Sequence, residues 1–356
     1  VAKRKSALDE AAQRAFGAEN RARLLHRWFA DRPAVEPGRA WEEVYRLLLW
    51  VDATTGLAHC YESDKAQPGR PWYARSLAFH VWLSDRLGVE PTELVDELDW
   101  MFRQAVRDLA AQQREGLSEK ARAQREPYDG RELPEPGADP ELAEIIEEEL
   151  GDWLREPPPE EVWARVVTRV QAHLSQENKR RNLTGEGFED VVVALVNRLG
   201  AGRDVRARTQ VRLGDLDGFY PTREGDKAKL IDLVVENGRT GARALVTAKW
   251  SVRSDREEQF RSDFEAYTRL QSDNRPFGHV LVTNEFDPAR LVRACESRAQ
   301  NAPLFTDVVH VQPHGVLAAY GEASGAVSHK TQRKVQEYVE AGRLTSLDDW
   351  IAGLLD

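Results

Sequence analysis

Residues 230–260 read LIDLVVENGRTGARALVTAKWSVRSDREEQF. Two apolar runs flank ENGRTG, whose Asn-Gly is a hairpin signal. In the first run Ile231, Leu233 and Val235 fill one face, and Leu230 and Val234 flank Asp232 on the other. Largely apolar faces on both sides predict a buried strand. A carboxylate there is costly unless a cation or hydrogen-bond donors compensate it. The second run, ALVTAK, ends on Lys249. A turn centred near Arg239–Thr240 sets Asp232 opposite Thr247. Lys249 is then its diagonal neighbour on the same face, roughly 7–8 Å away between Cβ atoms. Such a gap suits a metal ion and a phosphate; it equally suits a buried Asp–Lys ion pair.

The flanking segments add carboxylates. Ser254 and Glu257 have the spacing of a capping box, which predicts a helix from Asp255. Its apolar face is Phe260, Phe264 and Tyr267. At 100° per residue Asp263 lies beside that face, whereas Glu258 and Glu265 point nearly the opposite way. Upstream, GEGFEDVVVALVNRLG (185–200) reads as a helix with Phe188, Val191, Val192 and Leu195 on one side. Glu189 sits next to that stripe. Glu189, Asp232, Lys249 and Asp263 can therefore converge.

Working outward, DVRARTQVRL, GHVLVTN and DVVHVQ read as further strands and PARLVRACESRA as a helix. Helix, β-meander, helix, strand, helix, strand is the order of an α/β domain on a central mixed sheet. This domain is expected over 162–356, opening with a helix near 162–175. Residues 1–112 carry apolar residues at three-to-four spacing and read as an all-α N-terminal domain. Within it, a turn-rich loop over 54–75 holds Arg70, Trp72, Tyr73 and Arg75, which could pack or could touch a partner. Residues 113–161 read as an acidic, proline-rich linker with a short helix.

Composition sets outer limits. The chain has 356 residues, 41% hydrophobic and 31% charged. No apolar run reaches the roughly 18–20 residues of a membrane span. Two distant cysteines, Cys60 and Cys295, argue against a disulfide framework and predict a reducing, cytoplasmic compartment. The net charge of −10 opposes a nucleic-acid partner, but its distribution does not. Residues 131–161 hold twelve acids and two arginines, whereas 162–270 hold twenty Lys and Arg against sixteen acids. Nucleic-acid binding needs a local basic surface rather than a basic whole.

Taken together, Asp232 in one strand, x-x-Lys ending the next, and a preceding helix bearing Glu189 resemble the PD-(D/E)xK nuclease fold. Thr247 occupies the place of the usual acid two residues before the lysine. One branch shares that departure and takes its second acid from the following helix: the type II restriction endonucleases that read CCGG cores, NgoMIV-like and BsaWI-like. Its signature is a lysine, three residues, R-S-D-R, and an acid fourteen residues after the lysine. This chain has Lys249, Arg253-Ser254-Asp255-Arg256, and Asp263 at that offset. The family has Glu where Asp263 stands, and Ile231 replaces a proline common before the strand aspartate. The resemblance covers roughly 175–285.

The resemblance implies a PD-(D/E)xK core and a sequence-specific double-stranded DNA endonuclease dependent on Mg²⁺. It implies that Asp232, Asp263 and the Ala248 carbonyl hold the metal, that Lys249 works on the phosphate, and that Glu189 contacts a second metal or a water. It also implies a homodimer or higher homo-oligomer and a cognate DNA methyltransferase. Recognition would fall to Arg253, Ser254, Asp255 and Arg256, since Arg pairs bidentately with guanine and Asp accepts from cytosine N4. Arg70, Trp72, Tyr73 and Arg75 are candidates for outer DNA contacts. Two alternatives remain: a modification-dependent nuclease of the same fold, and a non-catalytic DNA-binding relative.

Overall fold

A computed structural model describes residues 14–30, 32, 34–52, 57–58, 68–111, 160–222, 228–252, 256–299, 301–321 and 329–356, with side chains from 179 onward in the helix that begins at 160. The chain divides into two compact units, Val1–Asp31 with Asp99–Thr184, and Arg32–Leu98 with Gly185–Asp356. The acidic linker and its short helix lie almost wholly outside the described residues. Among the described residues no helix is long and apolar enough to cross a membrane.

In the first unit, helix α1 (Ala18–Ala30) and a helix over 100–111 meet through apolar side chains at helical spacing. Leu24, Leu25, Trp28 and Phe29 are buried, as are Met101, Phe102 and Ala105. Trp28 and Trp100 lie 4.8 Å apart between ring centroids. Polar ties finish the contact: Asn20 Nδ2 donates to Asp108 at 3.0 Å, and Arg23 pairs with the same carboxylate at 2.6 Å.

The second unit is mixed α/β around six strands. They are β1 (Val205–Arg212), β2 (Leu230–Asn237), β3 (Arg243–Lys249), β4 (Gly278–Thr283), β5 (Asp307–His310) and β6 (Leu344–Ser346). Their order across the sheet is β6-β5-β4-β3-β2-β1. β1, β2 and β3 are an antiparallel meander, and β3 to β6 run parallel. The central strands are continuous apolar runs because both of their faces are covered. β1 alternates instead, burying Val205, Ala207 and Val211 and exposing Arg206, Arg208 and Arg212.

An edge strand invites unwanted pairing. Here Asn197 blocks it, donating to the Ala207 carbonyl at 2.9 Å and accepting from its N–H at 2.7 Å. Asn197 belongs to a single helix, α4, spanning Glu160–Leu199, where the sequence suggests two. Residues 176–184 contain no proline, and Gly185 and Gly187 are tolerated at about 1 kcal/mol each.

Residues 32–98 share the core of the sheet-bearing unit, so the helical segment expected over 1–112 is divided between the two units. Helix α2 (Ala40–Leu48) is tied by Tyr45 Oη, which donates to Asn284 Oδ1 at 2.9 Å, and by Asp348, which accepts from Ala40 N–H at 2.7 Å. Helix α3 (Pro71–Leu87) sets Phe79 4.7 Å from Phe286. It also approaches Gly315 so closely that a Cβ there would lie 3.0 Å from the Phe79 ring.

Candidate active site

The hairpin has the register expected from its turn. Leu233 pairs with Val246 and Val234 with Leu245, which sets Asp232 opposite Thr247. The ladder stops there. Beyond it Asp232 Oδ2 accepts from the Ala248 N–H at 3.1 Å, so a side chain takes a donor that a regular ladder would give to the β2 backbone. On the other side, Thr209 pairs with Leu233 and Val211 with Ile231, but Gln210 and Asp232 between them are unpaired. Gln210 has φ of +50°. Asp232 therefore sits where β2 loses regular pairing with both neighbours.

Three of the four expected groups converge at this opening. Lys249 Nζ donates to Asp232 Oδ2 at 2.6 Å. Glu189 Oε1 lies 3.8 Å from the same ammonium. The flexible lysine thus spans the diagonal gap as an ion pair, the second of the two arrangements the strand spacing allows. The Asp232 side chain is 21% exposed and that of Glu189 12%, so the cluster is partly accessible to solvent. Glu189 is placed by its neighbours in the helix: Phe188 is buried and packs edge-on against Trp250, 5.4 Å between centroids.

Burial, and then the facing charge of Asp232, push the Glu189 carboxyl up to about 7. The Gln210 amide, which donates to Glu189 Oε2 at 2.7 Å, and the Lys249 charge act in the opposite direction. Two carboxylates thus crowd one lysine.

Asp263 is held close by but separately. Its helix, α5, runs Glu257–Leu270 and starts two residues later than the capping box suggests, with no side-chain cap at Arg256. Helical phase places the acids as expected: Asp263 is buried, and Glu258 and Glu265 are exposed. Asp263 pairs with Lys229, immediately before β2. Burial and the charges of Asp263 and Asp232 together raise the Tyr267 hydroxyl above its ordinary value, so both carboxylates act on one phenol. Among the described residues no group of three or more His, Cys, Asp or Glu is gathered tightly enough to hold a metal ion.

Arg253, Ser254 and Asp255 lie outside the described residues. Arg256 is half-buried and donates to Gln259 Oε1 at 2.6 Å. The segment leading to them is anchored. The Trp250 carbonyl accepts from Asn284 N–H at 3.0 Å, and Val252 N–H donates to buried Glu285 at 2.8 Å. Arg290 pairs with that carboxylate at 3.2 Å, and burial raises the pKa of Glu285.

The aromatic segment near residue 70 is the first turn of α3 rather than loop. Arg75 is buried with its guanidinium over the rings of Trp72 and Tyr320, at 4.4 and 4.5 Å. Arg75 and Trp72 thus pack against Tyr320, while Arg70 is exposed and Tyr73 half-buried.

Sequence reasoning did not single out Gln210, Lys229 or Glu285. For Lys229 a signal existed, a lysine three residues before the strand aspartate in KAKLID. No family model matches the chain, and no curated protein matches it.

Proposed function

We propose that the chain is a Mg²⁺-dependent, sequence-specific double-stranded DNA endonuclease with a PD-(D/E)xK core, a type II restriction enzyme reading a palindrome with a CCGG core. The reading is supported above all by one observation: Glu189, Asp232 and Lys249 meet where β2 loses its pairing on both sides. A carboxylate pushed up to about 7 beside a second one is a strained arrangement that a divalent cation would relieve.

The donor chemistry fits Mg²⁺, which takes hard oxygen ligands and keeps several waters. Asp232, the Ala248 carbonyl and Glu189 would hold it, with Asp263 joining if it exchanges its pairing with Lys229. Bound there, Mg²⁺ would supply Lewis-acid stabilisation to the phosphate. Lys249 would orient the scissile phosphate and screen its charge. Arg253, Asp255 and Arg256, which precede α5 in the sequence, would read base edges in the major groove. A two-fold dimer presents such a set to both halves of a palindrome. A methyltransferase protecting the same site and a cytoplasmic location belong to this proposal.

The test is digestion of unmethylated phage DNA with Mg²⁺, followed by sequencing of the ends. Discrete 5′-phosphate ends at CCGG-containing sites are expected. Lys249→Ala should abolish cutting and keep specific binding in Ca²⁺. A variant that cuts within tenfold of wild type would make Lys249 structural.

A second reading rests on the ion pairs. Asp232 and Asp263 each already have a lysine partner, as in a DNA-binding module that keeps the fold without the chemistry. Specific binding by wild type without cleavage in Mg²⁺ or Mn²⁺ would select it.

A further inference from the structure

Among the described residues four other than glycine have positive φ: Asp99, Asp204, Gln210 and Asn274. Three are Asp or Asn outside any strand or helix, where the left-handed region costs least. Gln210 is neither, and it lies inside β1. No extra residue is inserted, because pairing resumes in the same register on both sides of it. A bulge therefore does not account for it. A strained backbone persists only where its surroundings impose it, and such residues cluster at functional sites. The contact that goes with this conformation is on the site: the Gln210 amide donates to Glu189 Oε2 at 2.7 Å, while Glu189 Oε1 faces Lys249 at 3.8 Å.

We propose that Gln210 is a positioning residue, whose left-handed backbone and side-chain amide hold Glu189 with one oxygen on Gln210 and the other toward Lys249. The inference rests on the nuclease reading and deepens it: Gln210 is assigned no contact with DNA and acts through Glu189. Residues that orient a first-rank ligand in this way are commonly worth about 10–100-fold in activity or affinity.

Three substitutions separate the backbone from the amide. Gln210→Gly accepts positive φ but has no amide. Gln210→Asn suits the left-handed region and has an amide one methylene too short. Gln210→Ala has neither advantage. Gly and Asn variants should melt above the Ala variant, by about 2–4 °C for a shift of this kind in a domain of this size. All three should lose about tenfold or more in kcat with KM within about twofold. In a Glu189→Ala background Gln210→Ala should cost nothing further, because the residue it positions is gone. Activity that instead follows melting temperature, recovering in the Gly and Asn variants, would overturn the proposal, and so would a full additional loss in the Glu189→Ala background.

A wild-type chain that cuts no DNA would sink the nuclease reading instead. Crystal structures of wild type and Gln210→Ala would then decide the positioning claim alone. An unmoved Glu189 side chain in the variant refutes it, and a displaced one upholds it.

Discussion

Replacing Glu189 by Gln should stabilise the ligand-free protein at alkaline pH and leave it nearly unchanged at acid pH. The Glu189 carboxyl is raised from the ordinary value near 4.5 to about 7, first by burial and then by Asp232. Between those two values the folded state binds more protons than the unfolded state, so wild-type stability falls as pH rises across that window. Each pKa unit is about 1.4 kcal/mol, which sets an upper limit of about 3 kcal/mol for the whole window. Glutamine cannot ionise and can still accept from Gln210, so the variant lacks the fall. Urea denaturation of both proteins in EDTA, from pH 4.5 to 8.5, measures the gap. It should open from near zero to about 2–3 kcal/mol by pH 8 and then stay level. Asp348, also raised to about 7 by burial, slopes in the same direction, but it is present in both proteins and cancels in the difference. A gap that is constant with pH would mean that Gln210 and Lys249 balance burial and Asp232, and one that narrows as pH rises would mean that they outweigh them. The crowding on which the metal-site reading leans would then be absent.

Asp263→Ala should lower cleavage by at least about tenfold, whereas exposed Glu258→Ala and Glu265→Ala should stay close to wild type; equal mild losses in steady-state assays would remove Asp263 from the site. Arg253→Ala and Arg256→Ala should each weaken specific binding by about 1–3 kcal/mol per lost bidentate contact, with little change in non-specific binding. Asp255→Asn should relax discrimination at one cytosine, read by competition in Ca²⁺ with duplexes substituted through the CCGG core; equal losses for cognate and scrambled duplexes would reduce these residues to phosphate grips. Gly315→Ala should destabilise the fold by about 1–3 kcal/mol, because its Cβ would meet the rings of Phe79 and Trp82 at 3.0 and 3.1 Å. Thermal melting checks it, and an unchanged melting temperature would show that α3 yields at no cost.

What could be read in the sequence was whatever a period fixes. A two-residue period and a turn put Asp232 opposite Thr247 with Lys249 on the diagonal. A 100° step put Asp263 beside Phe260 and turned Glu258 and Glu265 outward. Contacts between distant segments carried no such mark. Tyr45 and Asn284 lie 239 residues apart, and Ala40 and Asp348 lie 308 apart, so the division of residues 1–112 between two units had no local signal. Strand β6 has three residues and exists through its parallel pairing with Val308–His310. The site shows the same boundary at closer range. RTQVR has the alternation of an ordinary edge strand, and nothing in its composition reports that Gln210 leaves the ladder at φ of +50°. The Gln210 amide there donates to Glu189, while on the far side the Ala248 N–H turns to the Asp232 carboxylate. A hydrophobic pattern reports the face a side chain takes. It does not report whether a neighbouring backbone gives up a ladder hydrogen bond to serve that side chain, and at Asp232 both neighbouring strands depart from regular pairing.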